Sequence, residues 1–295
     1  MSAVPETFRP LEGVAVVNMG INLPAPAAAA RLAALGAEVI KVEPPSGDPI
    51  EAGAPGWYRI LTAGQAVERL DLKEPSDRAL LDARLETCDV LLTSTRPAAL
   101  ERMGLGWPAL GERFPRLLQV AIVGYPRPRQ DVPGHDLTYL AHLGLLSPPA
   151  LPRTLMADIG GAERAVSAAI GLLLARERGR GPRYAEVALS DAAEAFAGPW
   201  EHGLTAPDGV VGGGLPAYGF YEADGGWVAL AAIEPHFQER LREELGLPDL
   251  ERGTLERAFR ARTPSQWEGW AEARGLPVAA VGDARSAPPP EGGHP

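Results

Sequence analysis

LEGVAVVNMGINLPAPAAAARLAALGAEVIKVE, residues 11–43, decides the fold, because two apolar runs flank an alanine-rich segment. The first run is rich in β-branched residues and predicts a buried strand. Ala27 to Leu35 consists mainly of strong helix formers and predicts a helix that Gly36 ends. Residues 37–43 predict a second strand, which two prolines terminate. A strand, a helix and a strand with short links predict a right-handed parallel crossover.

The chain continues this alternation as far as its middle. Residues 69–72, 89–93 and 117–123 predict further short strands, and residues 77–88 and 97–103 predict helices between them. Such an alternation predicts an α/β fold with an open, mostly parallel, Rossmann-like sheet. No G-x-G-x-x-G follows the first strand, so we do not expect a dinucleotide site.

The pattern changes after residue 191. Tyr218 to Glu222 and Trp227 to Ala232 predict two antiparallel strands joined by a hairpin turn, and residues 235–245 and 263–273 predict helices. We therefore predict three regions. They are a large α/β domain over residues 1–191, a second, smaller α+β domain over residues 192–276, and a last segment over residues 277–295 that ends in a flexible tail rich in proline and glycine.

Composition and charge exclude several classes of protein. The 295 residues carry a formal net charge of -10, which argues against a protein that binds nucleic acid or an anionic membrane. The single cysteine, Cys88, excludes an internal disulfide framework and a cysteine-based zinc site. The N-terminus lacks the pattern of a signal peptide, and the apolar run 165–175 is too short to span a bilayer. We therefore expect a cytoplasmic protein.

Candidate catalytic residues stand where loops meet helices or strands. A proline-rich loop, residues 124–133, leads from a predicted strand to His135 and Asp136. Asp158 precedes a helix predicted over residues 162–178, and Glu234 precedes the helix predicted over residues 235–245. In a purely structural interpretation the carboxylates are helix caps and the histidine is a surface residue. In the functional interpretation the groups converge as a two-base site for proton transfer, and backbone N–H groups hold an enolate oxygen.

Several segments resemble one known family, the family III CoA-transferases, and within it the alpha-methylacyl-CoA racemases. PLEGVAVVNMG and LAALGAEVIKVEPP are similar to the family's first strand, helix and strand, and TRP followed by ERMGLG is similar to its "RPG…ERLGLG" segment. GHDLTYLAHLG around His135 resembles the racemase "GHDINYLALSG". ADIGG around Asp158 and IEPHF around Glu234 resemble the racemase "ADFGGG" and "IEPQF".

The resemblance implies an acyl-CoA racemase or epimerase of fatty acid metabolism that moves the α-proton of a 2-methylacyl-CoA thioester. It implies His135 and Asp158 as the two bases, Glu234 as the support of the histidine, and Asp136 as a backbone donor to the enolate oxygen. It also implies coenzyme A contacts at Arg96, Asp71, Leu72, Lys73, Val42 and Tyr139. No metal or redox cofactor is implied, coenzyme A being part of the substrate, and the family forms interlocked homodimers.

The chain departs from the family's pattern in three places, which keeps two alternatives open. Residues 61–67 lack the family's basic run, Pro44 stands where racemases carry an arginine, and residues 277–295 are interpreted as a shortened segment returning to the large domain. One alternative is a family III CoA-transferase with Asp136 as the nucleophile. The other is a shortened, non-catalytic paralogue that binds coenzyme A weakly.

Overall fold

The computed structural model describes residues 8–282, which form two compact units, residues 8–197 and residues 198–282. The strands of the first unit are β1 (Ala15–Asn18), β2 (Glu38–Glu43), β3 (Ala66–Arg69), β4 (Val90–Thr93), β5 (Leu118–Val123) and β6 (Tyr184–Ala188). Its helices are α1 (Pro24–Ala34), α2 (Pro49–Gly53), α3 (Pro55–Leu61), α4 (Pro75–Thr87), α5 (Pro97–Arg102), α6 (Trp107–Arg113), α7 (Asp136–His142), α8 (Met156–Glu177) and α9 (Leu189–Glu201), which crosses into the second unit.

The sheet of the first unit is parallel throughout, in the order β3-β2-β1-β4-β5-β6. The predicted α/β class with a Rossmann-like sheet is therefore confirmed. The strand order reverses between β1 and β4, and open α/β sheets bind ligands at the carboxyl ends of the strands near such a point. A binding or active site is therefore expected at the loops that follow β1, β4 and β5.

Helices cover both faces of this sheet, and the strands supply each face with apolar side chains. Leu91 and Leu92 of β4 are both fully buried, yet they belong to separate core clusters because successive strand residues point to opposite faces. One cluster includes residues of α1 and α8, and the other includes residues of α4, α5 and α6. A strand buried on both sides has the continuous apolar character on which the strand predictions relied.

The opening strand, helix and strand form as predicted. The helix α1 begins at Pro24, earlier than predicted, because proline presets the backbone angle of a first helical turn. Its fully buried residues include Ala28, Ala29 and Leu32. Gly36 has a φ of 103°, and a Cβ there would lie 2.9 Å from the Cβ of Arg9, so the turn into β2 requires glycine.

The second unit is an antiparallel sheet with helices. Its strands are β7 (Tyr218–Ala223), β8 (Gly226–Ala231) and β9 (Val278–Ala280), and its helices are α10 (Pro235–Leu245), α11 (Arg252–Phe259) and α12 (Pro264–Glu272), preceded by a π-type turn at Val210–Gly214. The hairpin between β7 and β8 turns at Asp224 and Gly225, inside the predicted turn, and Gly225 has a φ of 79°.

The unit boundaries differ from the predicted domain boundaries. The division falls after Ala197 rather than after residue 191, because α9 continues without a break from the end of β6. Residues 278–280, which the sequence pattern assigns to a returning segment, instead pair with β8 as the third strand of the small sheet. The predicted flexible tail, residues 283–295, lies outside the described residues.

Candidate active site

His135 lies at the start of α7, after the loop that follows β5. It is the N-cap residue with extended backbone angles, and its side chain is exposed. The Thr138 hydroxyl accepts a hydrogen bond from the His135 backbone N–H at 3.0 Å, and the Thr138 N–H donates to the His135 carbonyl at 2.8 Å. This turn fixes the backbone of His135 at the carboxyl edge of the sheet, as predicted from the loop that delivers it.

Asp136 joins the start of α7 to the start of α8. Its side chain is buried, and Oδ1 accepts hydrogen bonds from the N–H groups of Ala157, at 2.6 Å, and Asp158, at 3.2 Å. Within residues 8–282 the other oxygen, Oδ2, has no hydrogen-bond partner. The predicted role of Asp136 as a helix cap is thus realised on α8, the helix that carries Asp158.

Asp158 lies inside α8, which corrects the prediction that it precedes a helix beginning at residue 162. The helix starts at Met156 and runs through Gly160 and Gly161. A Cβ at Gly160 would lie 2.4 Å from the ring of Phe196, and a Cβ at Gly161 would lie 2.2 Å from Leu189. These glycines therefore allow close packing within the helix and do not break it.

The environment of Asp158 raises the pKa of its carboxyl from 3.8 to about 6. Burial is the largest cause, because it disfavours the charged form, and the Asp136 carboxylate adds to the increase, whereas His135 lowers the pKa. The charges of His135 and Asp136 both act on Asp158, so these three predicted residues lie within electrostatic reach of one another. A carboxyl that titrates near pH 6 can both accept and return a proton near neutral pH.

Tyr139 fills the space beside this group. It is buried on α7 and packs edge-to-face on Tyr125, with the ring centroids 5.1 Å apart. Burial, with contributions from Tyr125, Asp158 and Asp136, raises the pKa of its hydroxyl to about 12, so the hydroxyl stays protonated as a donor at neutral pH. The sequence predicted Tyr139 as a site residue but missed Tyr125.

Gly134 makes room for the Tyr139 ring. A Cβ at this position would lie 2.5 Å from Cε1 of Tyr139 and 2.7 Å from its hydroxyl. Gly134→Ala is therefore expected to displace the ring and to lower the free energy of unfolding by about 1–3 kcal/mol. Urea denaturation checks this, with Gly171→Ala as the control, because a Cβ at Gly171 in α8 meets nothing within 4 Å. Equal stability of the two variants would contradict the clearance argument.

A cationic hollow lies at the end of β4. It has a volume of about 390 Å³, and its lining includes Arg96, Arg102 and Asp131. Neither arginine has an ion-pair partner among the residues that the structure describes. Arg96 also acts electrostatically on the Tyr139 hydroxyl, whose pKa is raised mainly by burial, so Arg96 lies within electrostatic reach of Tyr139. Arg96 was predicted from the sequence, and Arg102 was not.

The other predicted coenzyme A contacts lie on β2 and in the turn that follows β3. Val42 is a core residue of β2 with 4% of its surface exposed. Asp71 accepts a hydrogen bond from the Lys73 N–H at 3.1 Å in the turn after β3, where Leu72 is half-buried and Lys73 is exposed. Their predicted role in binding stays a prediction.

A buried charge cluster, which sequence reasoning missed, stands at the end of β2. The ammonium group of Lys41 lies 2.6 Å from Asp48 Oδ2 and 3.5 Å from Glu43 Oε1, and all three side chains are buried. Asp48 Oδ1 also accepts a hydrogen bond from the Asn22 N–H at 3.0 Å, which holds the loop between β1 and α1. A lysine and a glutamate that alternate with the apolar residues of β2 were the available signal.

Glu234 belongs to the second unit. It is the N-cap residue of α10, where its side chain is exposed. The helix begins at Pro235 as predicted. The prediction that Glu234 supports His135 stays a prediction.

A second groove is not lined by His135, Asp136 or Asp158. It has a volume of about 1480 Å³ between α1, α3 and α8, and its apolar lining includes Trp57, Ile60 and Ile159. The charged pair beside it, Arg31 and Glu163, is bridged at 3.0 Å. We place the candidate site at the His135, Asp136 and Asp158 group, because acid–base chemistry needs titratable groups close together.

Residues 8–282 contain no cluster of three or more histidine, cysteine, aspartate or glutamate residues that could hold a metal ion. No helix in the same range is long and apolar enough to cross a membrane.

Residues 11–288 match CoA-transferase family III, and the chain belongs to this family. The family's characterised relatives include both racemases and CoA-transferases. Human alpha-methylacyl-CoA racemase is 32% identical over 257 residues, covering 80% of this chain and 65% of the racemase. The succinyl-CoA–D-citramalate CoA-transferase of Chloroflexus aurantiacus is 29% identical over 266 residues, covering 82% of this chain and 66% of the transferase.

The chain spans about two thirds of the length of the curated relatives it matches. Among solved structures, a hypothetical protein of Mycobacterium tuberculosis superposes with a TM-score of 0.78 and 24% identity, covering 94% of this chain and 85% of that chain. That likeness supports the fold alone.

Proposed function

We propose that the protein is an acyl-CoA racemase or epimerase that transfers a proton at the α-carbon of a 2-methylacyl-CoA thioester. The observation that carries this proposal is the hydrogen bonding of Asp136 to the start of α8. It places Asp158, whose pKa is raised to about 6, within the electrostatic reach of His135. Two groups that can exchange a proton near neutral pH are what a 1,1-proton transfer requires.

In the proposed mechanism one of the two bases removes the α-proton and the other returns a proton to the opposite face of the same carbon. When the carboxylate of Asp158 takes the proton, the electrons of the C–H bond form an enolate, and the protonated imidazole of His135 then protonates the planar carbon. The opposite direction exchanges the roles. The backbone N–H of Asp136 is the donor that we assign to the enolate oxygen.

The substrate supplies its own activation, because a thioester acidifies the α-carbon. We propose no metal or redox cofactor, and coenzyme A acts only as part of the substrate. The hollow with Arg96 and Arg102 is the place that we assign to its phosphates, since guanidinium groups pair well with them. Asp71, Leu72, Lys73 and Val42 then follow towards the adenine. We further propose a cytoplasmic homodimer in which Glu234 supports His135.

A CoA-transferase with Asp136 as the nucleophile is the second candidate. The buried oxygen Oδ2 of Asp136 has no partner in the described part of the chain, and several relatives are CoA-transferases. Against it, Asp136 is only 3% exposed and its Oδ1 accepts two backbone hydrogen bonds, which draw charge from the carboxylate. A paralogue that binds coenzyme A weakly and has no catalysis is the third candidate.

Exchange of the α-proton in deuterated water tests the proposal. Incubation with 2-methylacyl-CoA is expected to give deuterium at the α-carbon by NMR and equal amounts of the two epimers. Transfer of coenzyme A to an added carboxylate, with an Asp136 adduct trapped by hydroxylamine, would favour the transferase instead. Absence of exchange together with no binding of acyl-CoA by calorimetry would support the non-catalytic paralogue.

A further inference from the structure

We infer that Asp136 is a positioning residue that holds the two proposed bases in one geometry by capping α8 from α7. Its carboxylate lies one residue from His135 in the chain, and it accepts hydrogen bonds from the backbone of Ala157 and Asp158. The kinetic part of this inference rests on the proposed function, whereas the structural part does not.

The long helix α8 lacks a cap of its own. The 22-residue helix begins after Leu155, an N-cap residue whose side chain makes no capping hydrogen bond. Helix starts leave N–H groups without intrahelical partners, and a side-chain oxygen normally accepts from the second or third residue. Asp136 accepts from both of these residues, Ala157 and Asp158, so the missing cap comes from another helix.

This arrangement couples the positions of the two bases. His135 is the N-cap residue of α7, Asp136 is the first residue of that helix, and Asp158 is one of the two residues that Asp136 holds. A displacement of Asp136 would therefore move His135 through the chain and Asp158 through the hydrogen bonds. Proton transfer is sensitive to misplacement of this kind, because the groups act at hydrogen-bond distance.

Asp136 also acts on Asp158 through its charge. No ion pair within residues 8–282 neutralises its carboxylate, and this charge is the second-largest cause that raises the pKa of Asp158. His135 acts in the opposite direction, and Tyr139, Tyr125 and Arg96 are further charged or titratable groups of this site. Cap and charge are separable by substitution, because asparagine keeps an acceptor oxygen and removes the charge.

Two variants separate these contributions. In Asp136→Asn the cap is kept and the charge is removed, so the pKa of Asp158 is expected to fall from about 6 towards its ordinary value, measured by carboxyl ¹³C NMR. The acidic limb of the pH profile of α-proton exchange is expected to move to lower pH with it. In Asp136→Ala the cap is lost, and amide hydrogen exchange at Ala157 and Asp158 is expected to accelerate about 2- to 30-fold.

Asp249→Asn is the matched control. Asp249 lies in the second unit and accepts a hydrogen bond from the Glu251 N–H at 3.1 Å, just before α11. The control is expected to leave the titration of Asp158 unchanged. An unchanged titration in Asp136→Asn together with unchanged amide exchange in Asp136→Ala would overturn the inference. The titration of Asp158 and the amide exchange do not depend on catalysis. A wild-type protein without α-proton exchange would therefore refute the proposed function and leave this test intact.

Discussion

Asp158→Asn is expected to lower the rate of α-proton exchange by about 10²–10⁴-fold, the usual contribution of a positioned acid or base. An amide has nearly the same size as the carboxyl but neither accepts nor returns a proton near neutral pH. The substrate would still bind, so the loss should fall on kcat rather than on KM. Single-turnover exchange in deuterated water, followed by NMR, measures it.

The control for this variant is Asp191→Asn. Asp191 stands in the first turn of α9 and is also partly buried, but it lies outside the proposed site. It should keep the wild-type rate. If Asp158→Asn also kept the wild-type rate, Asp158 would not be one of the two bases.

Asp158→Asn is also expected to raise the free energy of unfolding at neutral pH. The folded-state pKa of Asp158 is raised above its unfolded value, so the neutral carboxyl is favoured in the folded state. Its contribution is fully present below about pH 4 and is lost as the pH rises through about 6. The asparagine side chain does not titrate, so its contribution to stability stays constant over that range. At pH 7 the variant should therefore exceed the wild type by on the order of 2–3 kcal/mol, with no difference below pH 4, by urea denaturation.

Lys41→Met is expected to lower the free energy of unfolding by about 3–5 kcal/mol, the cost of leaving buried charges without their partner. Lys41 has no exposed surface and lies between the carboxylates of Asp48 and Glu43. Removing the ammonium group leaves the Asp48 carboxylate buried without its cation, with only the N–H groups of Asn22 and Ile50 as donors to Oδ1. The midpoint of urea denaturation reports this change.

Lys73→Met is the matched control, because Lys73 is exposed in the turn after β3. Its stability should change by less than about 0.5 kcal/mol. Adding Asp48→Asn to Lys41→Met should recover part of the loss, since the orphaned charge is then removed as well. A loss of under about 1 kcal/mol for Lys41→Met would mean that the carboxylates find other partners or take up protons.

Sequence patterns placed His135 and Asp136 relative to the strands better than they placed the helix that carries Asp158. His135 and Asp136 followed a predicted strand, and β5 indeed ends just before their loop. The predicted start of α8 was wrong, because Gly160 and Gly161 resemble a helix breaker when only neighbouring residues are considered. Phe196 and Leu189, which require those glycines, come from a distant part of the chain.

Local patterns were sufficient where a segment's own residues decide its conformation. The apolar runs of β1 and β2 and the alanines of α1 predicted the parallel crossover, because the periodicity of burial is written along each element. The family motifs around His135 and Asp158 likewise predicted membership of the CoA-transferase family. Neither prediction needed a contact between distant residues.

Tertiary structure alone decided what the candidate residues do to one another. Asp136 caps α8 rather than its own helix, and burial raises the pKa of Asp158 to about 6. Lys41 pairs with Asp48, which also accepts a hydrogen bond from the N–H of Asn22. Hydrogen bonds and charge interactions depend on distances of a few ångströms between groups that the chain separates. Those distances are set by how helices pack on the sheet, which no single segment encodes.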